Sequence, residues 1–365
     1  MDTKSRQSHT KRIERKGFTL VELLVVITII GILAALITGA AVRALGKARQ
    51  TRIKVELDQI AEAIQLTGAF PPNCQTDQLG TSSTDPIDES QVLIDLRRYM
   101  TNLSTKSAEP SYLLSLMTGQ AVAGNKELPG GMTAGEALVL WLSKPSSDPK
   151  YPISGEGGPS YRIDNISPTP AVQADPIESR AWIFPFEVAR LGPRTPDKYF
   201  DQSTGRYIEY DITISGVQQR RRINFWQYVP AKSTQPYLYF DTSRHPATNM
   251  VVGNALATFD PPAATQLTGL GPSGQGLHVH AVKKRSESAA SGVPIEFANR
   301  DKFQILHCGI DDLWGEEAFE KMTAENVVPP NDPNAYLLYP DGPFTGDVAD
   351  TLTNFSEGTL EDAQP

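Results

Sequence analysis

The chain has 365 residues, with 34 Lys and Arg against 42 Asp and Glu, a formal net charge of −8. So acidic a chain argues against general binding to the phosphate backbone of nucleic acids, and no nucleic-acid partner is expected. With 28 Gly, 28 Pro and two Cys it is turn-rich and is not a disulfide-dense scaffold.

The first segment in chain order is basic. Lys4, Arg6, Lys11, Arg12, Arg15 and Lys16 stand against Asp2 and Glu14, a net of +4, and the segment ends at Gly17. A long apolar helix is predicted next. From Leu23 to Val42 there are 20 residues without a formal charge, about 30 Å of helix, enough to cross the hydrocarbon core of a bilayer. Basic flanks stay cytoplasmic, so the large C-terminal part is expected to be exported. Losing the basic leader would take the net charge from −8 to −12. Glu22 is the one acid near the start of this helix. A charge at mid-depth costs about 2.5–3.5 kcal/mol and less near the end, so an acid there calls for a partner, and an amine is the natural one.

Read as KGFTLVELLVVITIIGILAAL, residues Lys16 to Leu36 resemble the N-terminus of type IV pilin-like proteins of the prepilin class, which include type IV pilins and the pseudopilins of type II secretion. The resemblance covers roughly Lys16 to Leu66. It implies that a membrane aspartyl peptidase, the prepilin peptidase, cuts between Gly17 and Phe18 and N-methylates Phe18. It also implies that Glu22 neutralises the N-terminal ammonium of a neighbouring subunit and so favours one axial register. A plain secretory signal has a shorter apolar core with a small-residue cleavage site after it. A simple signal anchor fits the hydropathy but leaves Gly17, Phe18 and Glu22 together unexplained.

Past the apolar run, Ile53, Leu57, Ile60 and Ile64 recur at i, i+4, i+7 and i+11, with Arg52, Lys54, Glu56, Asp58 and Glu62 between them. The pattern predicts an amphipathic continuation to about Leu66, a rod of roughly 49 residues and about 73 Å, stopped by Gly68 and Pro71-Pro72. Arg43, Lys47, Arg49 and Arg52 stand just outside the apolar run, where lipid head groups, neighbouring subunits or solvent would meet them.

Gln91 to Met100, Ser111 to Met117 and Met132 to Ser143 are predicted short helices, the last opened by Thr133 and Glu136 at capping-box spacing. Beyond Pro145 the texture becomes strand-like. Ile208, Tyr210, Ile212 and Ile214 alternate with polar residues, and Ile223–Val229, Pro236–Phe240 and Lys302–His307 are further strands. Ser215 to Gln219 is the expected hairpin connection, and Asp260 to Gly276 an expected mobile surface loop. The fold class is therefore α+β: the long helix packed on an antiparallel sheet, with a large loop-rich insertion. The expected organisation is a removed cytoplasmic leader (1–17), a transmembrane and assembly helix (18–42), its amphipathic extension (43–68), a helical and loop region (69–145), and a β-rich region with acidic C-terminal loops (146–365).

Cys74 and Cys308 would be free to pair in an oxidising compartment, or to remain buried thiols. In major pseudopilins an acidic, glycine-bearing loop after the last strands binds calcium, and the resemblance places Asp311, Asp312, Asp347 and Asp350 in that role, although Asp312 stands where the family shows glycine. Turn-capping aspartates are the alternative. His278 and His280, with His245 or His307, make at most a weak zinc pattern. Trp226, Tyr228, Tyr237, Tyr239 and Phe240 are a ligand platform or a packed core, and Arg220 to Arg222 a basic patch or a solvated hairpin end. No G-x-S-x-G, H-E-x-x-H or P-loop pattern occurs, and an enzyme is not expected.

The expected function is a filament subunit, foremost a type II secretion pseudopilin. The alternatives are an adhesive or DNA-uptake type IV pilin and a membrane-anchored extracytoplasmic binding protein or hydrolase. Its expected partners are the prepilin peptidase, identical or related subunits, and the secretion or pilus assembly machinery of the inner membrane. There the precursor would sit with its N-terminus cytoplasmic and its globular part periplasmic or extracellular.

Overall fold

The structure is a computed structural model that describes residues 18–67, 109, 133–143, 145–148, 150–163, 182–192, 206–242, 264–267, 277–285, 295–299, 302–314 and 338–365. The chain divides into two units, residues 1–49 and 50–365. Helix α1 (Leu20–Leu66) begins in the first and ends in the second.

In the first unit the helix surface is almost wholly apolar and exposed, from Phe18 through Leu45. Beyond Gln50 its character changes. Ile53, Leu57, Ile60 and Ile64 are all buried, as their spacing predicts, and each contributes roughly 1.5–3 kcal/mol by leaving water. The helix closes where expected, with Thr67 N–H and Oγ1 both donating to Ile64 O. Gly68, Pro71 and Pro72 lie outside the described residues.

Helix α2 (Ala134–Leu142) has the predicted capping box: Thr133 N–H donates to Glu136 Oε2 at 2.8 Å, and Glu136 N–H to Thr133 Oγ1 at 3.3 Å. It is buried all round, so its sequence AGEALVLWL shows no polar face. The expected helices at Gln91–Met100 and Ser111–Met117 lie outside the described residues.

The strands are short. They are β1 (Tyr161–Arg162), β2 (Leu191–Gly192), β3 (Arg206–Ile214), β4 (Val217–Phe225), β5 (Gln227–Tyr228), β6 (Leu238–Phe240), β7 (Ala264–Leu267), β8 (Leu277–His280), β9 (Lys283–Arg285), β10 (Ile295–Phe297), β11 (Gln304–His307), β12 (Leu338–Tyr339) and β13 (Leu352–Thr353). They form three-stranded sheets β1-β4-β3, β10-β9-β12 and β13-β11-β6, and two-stranded sheets β2-β5 and β7-β8. Every pairing is antiparallel except β9 with β12. The class is α+β, with several small sheets in place of one.

Sheet β13-β11-β6 is the spine. Tyr239 pairs with Ile305, and both lie in the core that contains Ile53, Leu57 and Ile60 of α1. Their neighbours Leu238 and Leu306 point the other way, into a second core with Val279, Val282, Phe344 and Leu360. Apolar cover on both faces explains why the YLYF and FQIL runs lack the alternation of a half-solvated strand. The exception, Gln304, is buried yet satisfied: its Oε1 accepts from Val282 N–H at 2.7 Å, and its Nε2 donates to Val282 O at 2.8 Å and Ala298 O at 2.5 Å. It thus behaves like an added piece of backbone joining the two cores.

Two expectations are corrected. The β3–β4 connection is only Ser215-Gly216, both with positive φ (51° and 82°), as a two-residue hairpin turn requires, so β4 starts at Val217, inside the expected 215–219 turn. Within the expected loop Asp260–Gly276, Ala264–Leu267 is strand β7 paired with β8; its A-T-Q-L core has a cross-strand partner that the surrounding Pro and Gly residues obscured.

A half-buried carboxylate ties α1 to the strands. Glu56 accepts from Tyr228 Oη at 2.9 Å, Tyr237 Oη at 2.8 Å and Arg190 Nη2 at 2.5 Å. Arg190 also donates from Nε to Val229 O at 2.8 Å and lies 4.4 Å over the Tyr228 ring. Burial and the adjacent Glu56 charge both push the Tyr228 and Tyr237 phenols up, so they stay protonated as donors. On the far side Lys54 Nζ bridges Asp58 at 2.5 Å and Thr353 O of β13 at 3.0 Å.

Candidate functional site

The N-terminal segment is built around Glu22. Thr19 precedes the first helical residue, and its N–H and Oγ1 donate to Glu22 Oε2 at 2.9 and 2.7 Å, while Glu22 N–H donates to Thr19 Oγ1 at 3.2 Å. This is a second capping box, Thr19-Leu20-Val21-Glu22, at the same S/T-x-x-E spacing as Thr133 to Glu136. The cap is a role of Glu22 beyond the amine partner expected for it. The spacing that would have revealed the cap was in plain view. In the single chain the carboxylate thus closes its own helix, and it stays exposed and within reach of a further donor.

From Phe18 onward no part of the apolar helical window is buried against the rest of the chain. Phe18, Leu20, Leu36, Ile37 and Leu45 each expose two thirds or more of their surface. An apolar surface this long and continuous calls for lipid or other helices around it. Gly17, the residue before the expected cut, lies outside the described residues.

The two acidic pieces of the C-terminal region come together although some 30 residues of sequence separate them. Gly309, at φ 99°, lets the 309–314 loop lie directly on Asp350: a Cβ there would sit 2.5 Å from Asp350 Cβ. Ile310 N–H donates to Asp350 Oδ2 at 3.4 Å, and Leu313 N–H to Asp311 Oδ1 at 3.0 Å. Partial loss of solvent and the charges of Asp350 and Asp347 hold the Asp311 carboxyl above its usual range, against the Leu313 hydrogen bond. Three carboxylates therefore share one neighbourhood.

Asp312 turns the other way. At φ 62° it adopts the left-handed conformation that glycine favours. Its Oδ1 accepts from Ser233 Oγ, and its Oδ2 from Thr234 N–H at 3.1 Å. Ser233 Oγ is also 3.1 Å from His307 Nε2. His307 Nδ1 accepts the Gly309 N–H at 3.1 Å, and Nε2 lies 3.2 Å from Gln235 O, an acceptor only, so the proton sits on Nε2. Trp314 Nε1 donates to Gln235 Oε1 at 3.2 Å. A serine, a histidine and an aspartate thus meet, unforeseen in the sequence, but with Nε2 protonated the imidazole is no base for Ser233, and Asp312 touches the serine instead of the histidine. The trio is a latch between the 233–235 turn and the acidic loop. His307, Cys308 and Asp312 each place one ligand-type atom within 4.8 Å of the others, yet both ring nitrogens already serve the latch.

The remaining candidates resolve into structure. Trp226, Tyr228, Tyr237, Tyr239 and Phe240 are all buried, so the aromatic group is core. Arg222 donates to Glu209 Oε1 from Nε at 3.1 Å and lies 4.1 Å over Tyr207, Arg220 pairs with Glu209 at 3.4 Å, and Arg221 Nη2 donates to Gln219. The basic triplet is engaged along its own hairpin. His278 and His280 lie on β8 opposite Gln266 and Ala264. Cys308 is buried; Cys74 and His245 lie outside the described residues. Lys283 is wholly buried on β9, and burial pushes its ammonium down to about 7.

Residues 14–38 match the prokaryotic N-terminal methylation motif. With the long apolar helix, this match is consistent with a type IV pilin-like protein and supports a subunit processed by prepilin peptidase, from a structural family that is generally not enzymatic. No curated protein and no solved structure matches the chain.

Proposed function

We propose that this type IV pilin-like chain is a type II secretion pseudopilin, cut after Gly17, N-methylated at Phe18 and polymerised through residues 18–42. The observation that carries the assembly reading is the methylation motif opening onto a helix whose apolar surface its own chain leaves uncovered. The precursor sits in the inner membrane with its N-terminus cytoplasmic. Its partners are the peptidase, other subunits of the same kind, and the assembly machinery. Glu22 sets the register in the filament core, and the acidic body faces outward. The mass and N-terminal sequence of the mature protein, taken from membrane and sheared-filament fractions, test this directly. The expected result is N-methyl-Phe18 in the sheared fraction; an intact Met1 or a cut beyond Leu36 overturns it in favour of an anchored or secreted binding protein or hydrolase.

The acidic loop favours a secretion pseudopilin over an adhesive or DNA-uptake pilin. Calcium takes six to eight oxygen ligands, and the grouped carboxylates of Asp311, Asp347 and Asp350 suit it in charge and hardness. Asp312, first expected among the ligands, instead supports the loop from behind through Ser233 and Thr234. A bound cation would offset the loss of solvent and, beside it, the Asp350 and Asp347 charges that raise Asp311. Calcium is expected to raise the melting temperature of the full chain in detergent, chelator to reverse the rise, and Asp347→Ala to abolish it. An unchanged melting temperature in the parent would leave these aspartates as turn caps.

A further inference from the structure

Along the part of α1 that belongs to the second unit, one stripe of the helix stays in solvent. Arg52, Val55, Gln59, Glu62 and Leu66 are all exposed. At about 100° per residue they fall within an arc of about 80°, on the side opposite the buried Ile53, Leu57, Ile60 and Ile64. Two of the five are large and apolar: Val55 exposes 50 % of its surface and Leu66 78 %. Neither adds to the core behind the helix.

This stripe is complementary to itself under a single displacement. Ten residues separate Arg52 from Glu62 and eleven separate Val55 from Leu66, about 15 and 16.5 Å along the axis. If a second, parallel copy of the helix is moved by that amount, its Glu62 comes level with Arg52 and its Leu66 with Val55. One shift therefore makes an ion pair and an apolar contact together. An antiparallel copy does not: once Arg52 is level with Glu62 in both directions, Val55 meets Gln59. Helices inserted into a membrane in one orientation run parallel, which favours the first arrangement. In it each copy turns Arg52 and Val55 to one neighbour and keeps Glu62 and Leu66 for another. Such a head-to-tail contact does not close in a pair and can propagate.

We propose that the exposed stripe from Arg52 to Leu66 docks on the same stripe of a second copy of this chain, displaced by about 15 Å along the helix axis. Arg52 meets Glu62 and Val55 meets Leu66. The ion pair lies in solvent and selects the register more than it adds affinity, while the aliphatic pair removes apolar surface from water. The contact lies outside residues 18–42, so a second register is set in aqueous surroundings. A pair between Glu22 and a neighbour's Phe18 spans four residues, about 6 Å, and so engages a different neighbour. The proposal rests on the filament reading.

The test uses the full-length chain in sheared filaments of its native host. Arg52→Glu and Glu62→Arg each set like charges opposite one another, and each is expected to lower the amount of the chain in that fraction about tenfold. The double reversal restores the pair and is expected to bring the amount back to within about twofold of the parent. Both positions are exposed, so the urea midpoints of the variants should match the parent's. A second measurement reads the contact itself. In Arg52→Lys filaments a water-soluble carbodiimide is expected to join the introduced amine to Glu62. Within one chain these side chains leave the helix about 15 Å apart, too far for a direct amide, so the product reports two chains. A double reversal no better than the single ones overturns the proposal, as does the absence of the 52–62 amide. Coupling of that amine to a different protein also overturns it and assigns the stripe to another subunit. A parent chain missing from the sheared fraction removes the filament itself, and this contact with it.

Discussion

Glu22→Gln is expected to be cleaved and methylated normally, yet to enter filaments as poorly as Glu22→Ala. The two variants separate the two duties of this side chain. In the single chain Glu22 accepts from Thr19 N–H and Oγ1, and a glutamine at the third helical position can keep that reciprocal cap, whereas alanine loses it at a cost of about 1 kcal/mol. In the proposed filament the carboxylate meets the ammonium of a neighbouring Phe18 in apolar surroundings. Removing one member of such a pair costs about 3–5 kcal/mol, because the other is left buried and charged. That is more than a hundredfold in the equilibrium for adding each subunit. Quantifying the protein in sheared and membrane fractions, with the N-terminal mass as a control for processing, gives the answer. Normal incorporation of Glu22→Gln alongside failure of Glu22→Ala would reduce Glu22 to a helix cap.

The second large effect is expected at Glu56. Glu56→Ala leaves the Arg190 guanidinium and the hydroxyls of Tyr228 and Tyr237 without their shared acceptor, in a site where the Glu56 and Arg190 side chains are each 17 % exposed. The expected loss is about 3–5 kcal/mol, visible as a lower urea midpoint for the full chain in detergent. Glu56→Gln keeps an acceptor for one phenol and should fall between. Because the three donors come from separate segments, the variant should also loosen the grip of α1 on the strands, which limited proteolysis near residue 190 would report. A midpoint within about 0.5 kcal/mol of the parent would mean that solvent already satisfies these groups and that the apolar face alone docks the helix.

Residue by residue, legibility followed the range of the interaction. Ile53, Leu57, Ile60 and Ile64 announced the buried face because helical periodicity is a local property, and Thr133 with Glu136 announced a cap because its bonds span three residues. The cap of Thr19 and Glu22 is equally local, and the same T-x-x-E spacing signals it. Glu56 was read as one of the solvent-facing polar residues. Its spacing allowed that, and only the arrival of Arg190, Tyr228 and Tyr237 from more than 130 residues away turned it inward. The acidic loop was half legible. Its aspartates were expected together as calcium ligands, and the left-handed backbone at Asp312 that sends one of them to Ser233 is a property of the turn and not of composition.

By itself the sequence determined that an apolar helix with one acid near its start follows a methylation motif, because hydropathy, charge and motif spacing are written in consecutive residues. It determined the α+β class by the same local logic, through the change from helical to alternating periods. The tertiary structure alone decided that β6 and β11 are covered on both faces, that Arg190 closes over Glu56, and that Asp311, Asp347 and Asp350 share one field while Asp312 joins His307 and Ser233. Those outcomes depend on which distant segments meet, and the burial that makes a charge or a carboxylate consequential exists only once they have met.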